Sequence, residues 1–175
     1  MAAITLRGCG VVAGVVEGEA LVCPTSIQGW GGIDPATGVI KEHGHVNRGV
    51  SIKGRILVLP GSRGSNGWSC YFGAANVAGA GPLGMVVTRI DSSVGVAAAV
   101  IQVPTVVDFA SNQDPCRLIA TGDRVRVDGG SGVVEIVKVA ATPGTDARGQ
   151  EAAEKRSLGP QNALGGAIRR PRSRT

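Results

Sequence analysis

The sequence predicts an α/β domain: a mixed sheet with helices packed on it. Three observations point there. Strand and helix patterns alternate between residues 56 and 107. Further β-type runs lie on both sides of that stretch. Aromatic residues are scarce (Trp30, Trp68, Tyr71, Phe72 and Phe109), so the core has to be built from Val, Ile, Leu and Ala.

The elements can be justified in order. Residues 1–55 are Gly-rich, with short β-type runs at 10–16, 19–23 and 38–41. Ile56-Leu57-Val58-Leu59 is a continuous apolar run closed by Pro60-Gly61, which suits a strand buried on both faces. A Gly and Ser loop spans 61–67. A weakly helical stretch, 68–80, follows and is broken by Gly81-Pro82. Residues 85–88 are the next strand. Asp91-Ser92-Ser93 can satisfy the free N–H groups of a helix over 94–102 with short polar oxygens. Residues 103–107 read as a strand, with Pro104 marking an edge or a strand start. Residues 116–121 form a helical turn ended by Gly122. Residues 124–127 and 133–139 flank Asp128-Gly129-Gly130-Ser131, a hairpin signal.

Residues 1–140 are therefore read as one domain. Residues 141–175 mix Ala, Gly, Pro, Arg and Ser without apolar periodicity and are expected to form a disordered, Arg-rich tail.

Composition excludes several classes. Glycine is abundant, 28 of 175 residues, but no G-X-Y period is present, so the chain is not collagen-like. The net charge is +5, and its distribution argues against a nucleic-acid partner. Residues 141–175 hold seven basic and three acidic side chains, while residues 1–140 hold 11 and 10. The folded part therefore carries no basic field that could grip phosphates, and an RNA-binding sheet would need more stacking aromatics. No apolar run reaches membrane-spanning length, and no charged, then apolar leader opens the chain. A cytoplasmic chain with reduced thiols and no membrane partner is expected.

The four cysteines, Cys9, Cys23, Cys70 and Cys116, lack C-x-x-C spacing, so this chain is expected to hold no metal or iron–sulfur cluster of its own. His43 and His45 form an H-x-H pair without a further ligand nearby in the sequence.

Two Gly-rich loops stand out. Arg63-Gly64-Ser65-Asn66-Gly67 follows the buried strand. Backbone N–H groups in such a strand-to-helix turn can make an anion pocket, and the helix N-terminus adds positive potential. Arg63 could clamp a carboxylate or phosphate, with Ser65 facing the ligand. An ordinary polar loop is the competing reading. The loop is neither a Walker A motif nor a nucleophile elbow. Gly29-Trp30-Gly31-Gly32-Ile33-Asp34-Pro35 is the second candidate loop; close backbone approach is the usual reason for such glycines, and a tight turn with Trp30 as a lid on the core is the competing reading.

Together these stretches resemble the small subunit of aconitase X. The resemblance rests on 17–22 (Glu-Gly-Glu-Ala-Leu-Val), on the G-W-G-G-I-D-P run continuing to Ile40, and on His45. It extends to residues 54–60 with Arg63-Gly64-Ser65, and to Thr121-Gly122-Asp123-Arg124-Val125, covering about residues 4–139. It implies a swivelling β/β/α domain, similar to the fourth domain of aconitase. Such a domain closes over a large subunit that carries an iron–sulfur cluster and most of the substrate pocket. Known members are hydro-lyases acting on mevalonate 5-phosphate or cis-3-hydroxy-L-proline. The implied proton acceptor is Ser65, with Arg63, Gly64, Asn66 and Gly67 around the substrate. A serine base needs its alkoxide stabilised by N–H donors or a cation.

The chain departs from the family pattern where Asn66-Gly67-Trp68 intervene between R-G-S and Ser69, Trp68 being bulky where a small residue is usual, where Val46 replaces a proline beside His45, and in the Arg-rich tail. The Ala, Gly and Arg usage is bacterial in character and leans to a hydroxyproline-type substrate. The alternatives are a non-catalytic binding or structural module and a phosphohistidine-type swivelling domain. The latter needs a His in the Gly-rich turn, and His43 and His45 lie outside the R-G-S loop.

Overall fold

The computed structural model describes residues 4–65 and 67–137; the expectations for Asn66 and for the tail lie outside the described residues. Eight strands form one sheet: β1 (Ile4–Arg7), β2 (Cys9–Val12), β3 (Val15–Val22), β4 (Ile56–Leu59), β5 (Gly84–Val87), β6 (Thr105–Val107), β7 (Arg124–Asp128) and β8 (Val133–Val137). Three helices accompany them: α1 (Gly67–Val77), α2 (Ser92–Ile101) and α3 (Pro115–Leu118). The strand order is β1-β8-β7-β3-β4-β5-β6-β2. The centre, β3-β4-β5-β6, is parallel, and the pairs outside it are antiparallel. This is the mixed α/β architecture expected.

The two end strands are β1 and β2, and only Gly8 separates them in the chain. A flat sheet of eight strands cannot place neighbours one residue apart on opposite edges, because strands pair about 5 Å apart. The sheet must therefore curl until its ends meet. Gly8 secures the join, its N–H donating to the Gly132 carbonyl at 2.9 Å.

Alternation along the strands then sorts the core into two clusters. Ala20, Val22, Ile56, Val58, Val86 and Val106 join Val125, Val127, Val134 and Ile136 inside the curl. Leu21, Cys23, Leu57, Leu59, Met85, Val87 and Val107 face outward and meet α1 and α2. All four residues of β4 are buried, as its unbroken apolar run requires. Helix α2 buries Val94, Ala97, Ala98 and Ile101, one stripe at helical spacing. Asp91 caps it by accepting the Val94 N–H at 3.0 Å. The two helices approach closely at Gly73, where a Cβ would stand 2.8 Å from Val100.

Several expectations need correction. Strand β1 carries no local signal strong enough to single it out. The run at 10–16 is split between β2 and β3 by Gly14, whose φ of +128° an L-residue rarely adopts. Residues 38–41 make only single bridges, Ile33 with Ile40 and Val39 with Ser51. Of the two readings of Pro104 the strand start holds, since β6 lies inside the sheet, between β5 and β2. Pro104 escapes the ladder by preceding it, and its carbonyl still accepts the Met85 N–H at 3.0 Å.

Candidate functional site

The R-G-S loop leaves the C-terminal end of β4 and leads into α1. In α/β sheets, ligands bind beyond the carboxyl ends of parallel strands. Gly64 turns the loop with φ +88°, where a side chain is disfavoured. Ser65 is exposed, and its Oγ accepts the Gly67 N–H at 3.3 Å. Its carbonyl accepts the Trp68 N–H at 3.2 Å. The serine hydroxyl therefore sits at the positive end of an 11-residue helix.

The G-W-G-G loop lies directly against it. Gln28 and Arg63 form a parallel bridge, and the Gly29 N–H donates to the Arg63 carbonyl at 2.8 Å. A Cβ on Gly29 would stand 2.5 Å from the Ser65 carbonyl oxygen. Trp30 is 65% exposed rather than a lid on the core. Its ring meets Tyr71 edge-on, with centroids 5.4 Å apart, and lies over Gly67.

Arg63 is engaged by the protein itself. Its Nε donates to the Ser26 carbonyl at 2.9 Å, and its Nη2 pairs with the Glu42 carboxylate. Two of three guanidinium nitrogens are thus committed where the sequence suggests a ligand clamp. Nη1 is left without a protein partner among the described residues.

Trp68 is not in the site at all. It is fully buried, stacked on Phe72 with centroids 4.1 Å apart, and its indole N–H donates to the Ile27 carbonyl at 3.0 Å. The bulk that departs from the family pattern therefore fills the core beneath the loop.

A hollow of about 370 Å³ opens between the first turns of α1 and α2, lined by Ser69, Ser92, Ser93 and Val96. Asp91 ties the start of α2 to the loop by accepting the Ser62 N–H at 2.8 Å. Burial opposes ionisation of this carboxyl, but the N–H bonds from Val94 and Ser62 outweigh it and hold its pKa low. The sequence reading missed Ser69, Ser92 and Ser93 as lining residues.

The histidines do not converge. His43 Nδ1 meets Arg48 at 2.9 Å on the surface. His45 is buried; its Nδ1 accepts the Asn47 N–H at 3.1 Å, and its Nε2 donates to the Thr25 carbonyl at 2.9 Å. A ring held at both nitrogens is poorly suited to be a phosphoryl nucleophile. Among the described residues no three His, Cys, Asp or Glu side chains come together to hold a metal ion, and no helix is long and apolar enough to cross a membrane.

Comparison with known proteins matches residues 5–136 to the aconitase X swivel domain. The chain belongs to the aconitase X swivel domain family. Curated relatives of this family include proteins named phosphomevalonate dehydratase small subunit. The one from Methanocella arvoryzae is 34% identical over 131 residues, covering 75% of this chain and 98% of its own length. The one from Pyrococcus furiosus is 35% identical over 132 residues, covering 75% and 95%. Among solved structures, Thermococcus kodakaraensis aconitase X in its holo-form superposes with a TM-score of 0.70 at 32% identity, covering 77% of this chain and 99% of that one. The solution structure of a UPF0107 protein gives a TM-score of 0.69 at 32% identity, covering 77% and 100%. The swivel-domain fold is thus shared along nearly the whole length of these neighbours.

Proposed function

We propose that this chain is the small subunit of a two-chain hydro-lyase, in which Ser65 accepts the C–H proton of a small hydroxy acid. The observation that carries this reading is the placement of the Ser65 hydroxyl. It is exposed on the loop after β4, and it already receives an N–H bond from the first residue of α1. As the serine hands its proton to solvent and acts as an alkoxide, that N–H and the helix end would stabilise the negative oxygen. The substrate then loses the C–H proton to Ser65, and its hydroxyl leaves as hydroxide that takes up a proton from solvent to become water.

The substrate anion is proposed to lie against the Gly64 and Gly67 backbone and the Nη1 edge of Arg63. Asn66 is kept as a further contact on the sequence alone. Departure of the hydroxyl is assigned to the large subunit, where the family resemblance puts the iron–sulfur cluster. The names of the curated relatives move the first choice of substrate to mevalonate 5-phosphate, with cis-3-hydroxy-L-proline second.

The test is to co-express this chain with the large-subunit gene and assay dehydration of both compounds. Turnover by the two-chain complex and none by this chain alone is expected. A stable complex inactive on both would favour the non-catalytic reading.

A further inference from the structure

We propose that Glu42 is a positioning residue for Ser65: its carboxylate clamps Arg63 and Gln28 together and thereby sets the R-G-S loop against the G-W-G-G loop. The inference rests on the function proposed above and adds a residue to it.

Glu42 belongs to neither loop. Its own N–H donates to the Gly32 carbonyl at 3.3 Å, which anchors it from a third segment. One carboxylate oxygen takes the Arg63 Nη2; the other takes the Gln28 N–H at 2.8 Å. The Glu42 side chain is only 12% exposed, against 43% for Arg63. Arg63 in turn reaches the Ser26 carbonyl, so one carboxylate and one guanidinium hold residues 26, 28, 42 and 63 in a single mesh.

No slack separates that mesh from the serine. Gly29, next to Gln28, donates to the Arg63 carbonyl, and its Cα lies so near the Ser65 carbonyl that a methyl group could not fit. A shift of Gln28 therefore pushes on Ser65.

Energy alone would give the pair little importance. Ion pairs with one partner this exposed contribute little to stability. Geometry is another matter, because a reacting group displaced by about 1 Å loses on the order of a hundredfold in rate. A positioning role thus predicts a large change in turnover with a small change in melting temperature.

The experiment compares Glu42→Ala and Glu42→Gln in the two-chain complex and in the isolated full-length chain. In the complex, Glu42→Ala is expected to lower kcat by about tenfold or more, with a smaller rise in KM from the loosened Arg63. Combined with Ser65→Ala it should cost nothing further, because it acts through that serine. Glu42→Gln, which keeps an acceptor for the Gln28 N–H, should recover most of the lost turnover. In the isolated chain, amide hydrogen exchange at Gly29 should speed up while the melting temperature holds. A raised KM with normal kcat, additive losses with Ser65→Ala, no recovery by Glu42→Gln, or unchanged exchange at Gly29 would each overturn the proposal. If Ser65→Ala itself left turnover intact, the serine assignment would fall, and the exchange result would still decide whether Glu42 sets the loops.

Discussion

The indole N–H of Trp68 donates to the main-chain carbonyl of Ile27 at 3.0 Å, across the seam between the two Gly-rich loops. This buried bond joins the floor of one loop to the floor of the other. It makes Trp68 a support of the site rather than a part of it.

Trp68→Ala should therefore unfold easily. It removes the stack on Phe72 and strands the Ile27 carbonyl, at a cost of about 3–5 kcal/mol. Urea unfolding of the isolated chain measures this. Trp68→Phe keeps most of the packing and should lose markedly less. An unchanged midpoint for Trp68→Ala would contradict the buried stack.

Ser65 and Ser69 test the assignment of the proton acceptor. Ser65→Ala in the assembled enzyme should cut kcat by at least about a hundredfold, the scale for losing a positioned acid or base. Its melting temperature should hardly move, since the side chain is exposed. Ser69→Ala, in the hollow one turn along, should have a smaller effect. The reverse order in steady-state kinetics would shift the proton acceptor to Ser69.

Gly29 and Gly31 make a matched pair. A methyl at Gly29 meets the Ser65 carbonyl, a backbone atom that must move. A methyl at Gly31 meets nothing within 4 Å, but its φ of +71° is strained for alanine by about 1–2 kcal/mol. Gly29→Ala should lower kcat by about tenfold or more. Gly31→Ala should cost stability only. Equal turnover in both variants would remove the proposed contact between the loops.

Cys23 gives a pH signature. Burial pushes its thiol from the ordinary 9.0 up to about 11, against a smaller downward pull from the Asn47 side-chain hydrogen bond. The unfolded chain releases this proton first, so stability is complete below about pH 9 and falls as pH climbs toward 11. The loss is on the order of 2–3 kcal/mol. Urea midpoints compared at about pH 8 and about pH 10.5 should fall for the native chain and fall less for Cys23→Ala. Equal slopes would clear the thiol of any role.

The central strands were legible because burial on both faces writes itself as unbroken apolar sequence, as in Ile56–Leu59. The cap of α2 was legible because Asp91 acts on Val94, only three residues away. Strand β1 was not, because Ile4 pairs with Ile136, and nothing near Ile4 records its partner. The site divides the same way. Gly64 and Ser65 announce a turn and a hydroxyl locally. Glu42 has meaning only through Arg63 and Gln28, both distant in sequence, and its own surroundings read as a polar turn. Trp68 could have been placed correctly, since Trp68, Phe72 and Ala75 recur at helical spacing on one buried face.

The closure of the sheet through Gly8 also governs how the chain comes into being. Synthesis produces β1 and β2 first, yet β2 must await β6, and β1 must await β8, the last strand of the sheet. Until Val133–Val137 is made, the outer edge of Ile4–Arg7 has no ladder to join. Ribosome-bound intermediates therefore carry unpaired strand edges, which are templates for association with other chains. Pairing so distant in sequence also slows the final step, because the entropy of closing the long loop is lost before the contacts form. The sheet therefore closes only once its last described strand is made, with Ile4–Arg7 idle until Val133–Val137 arrives.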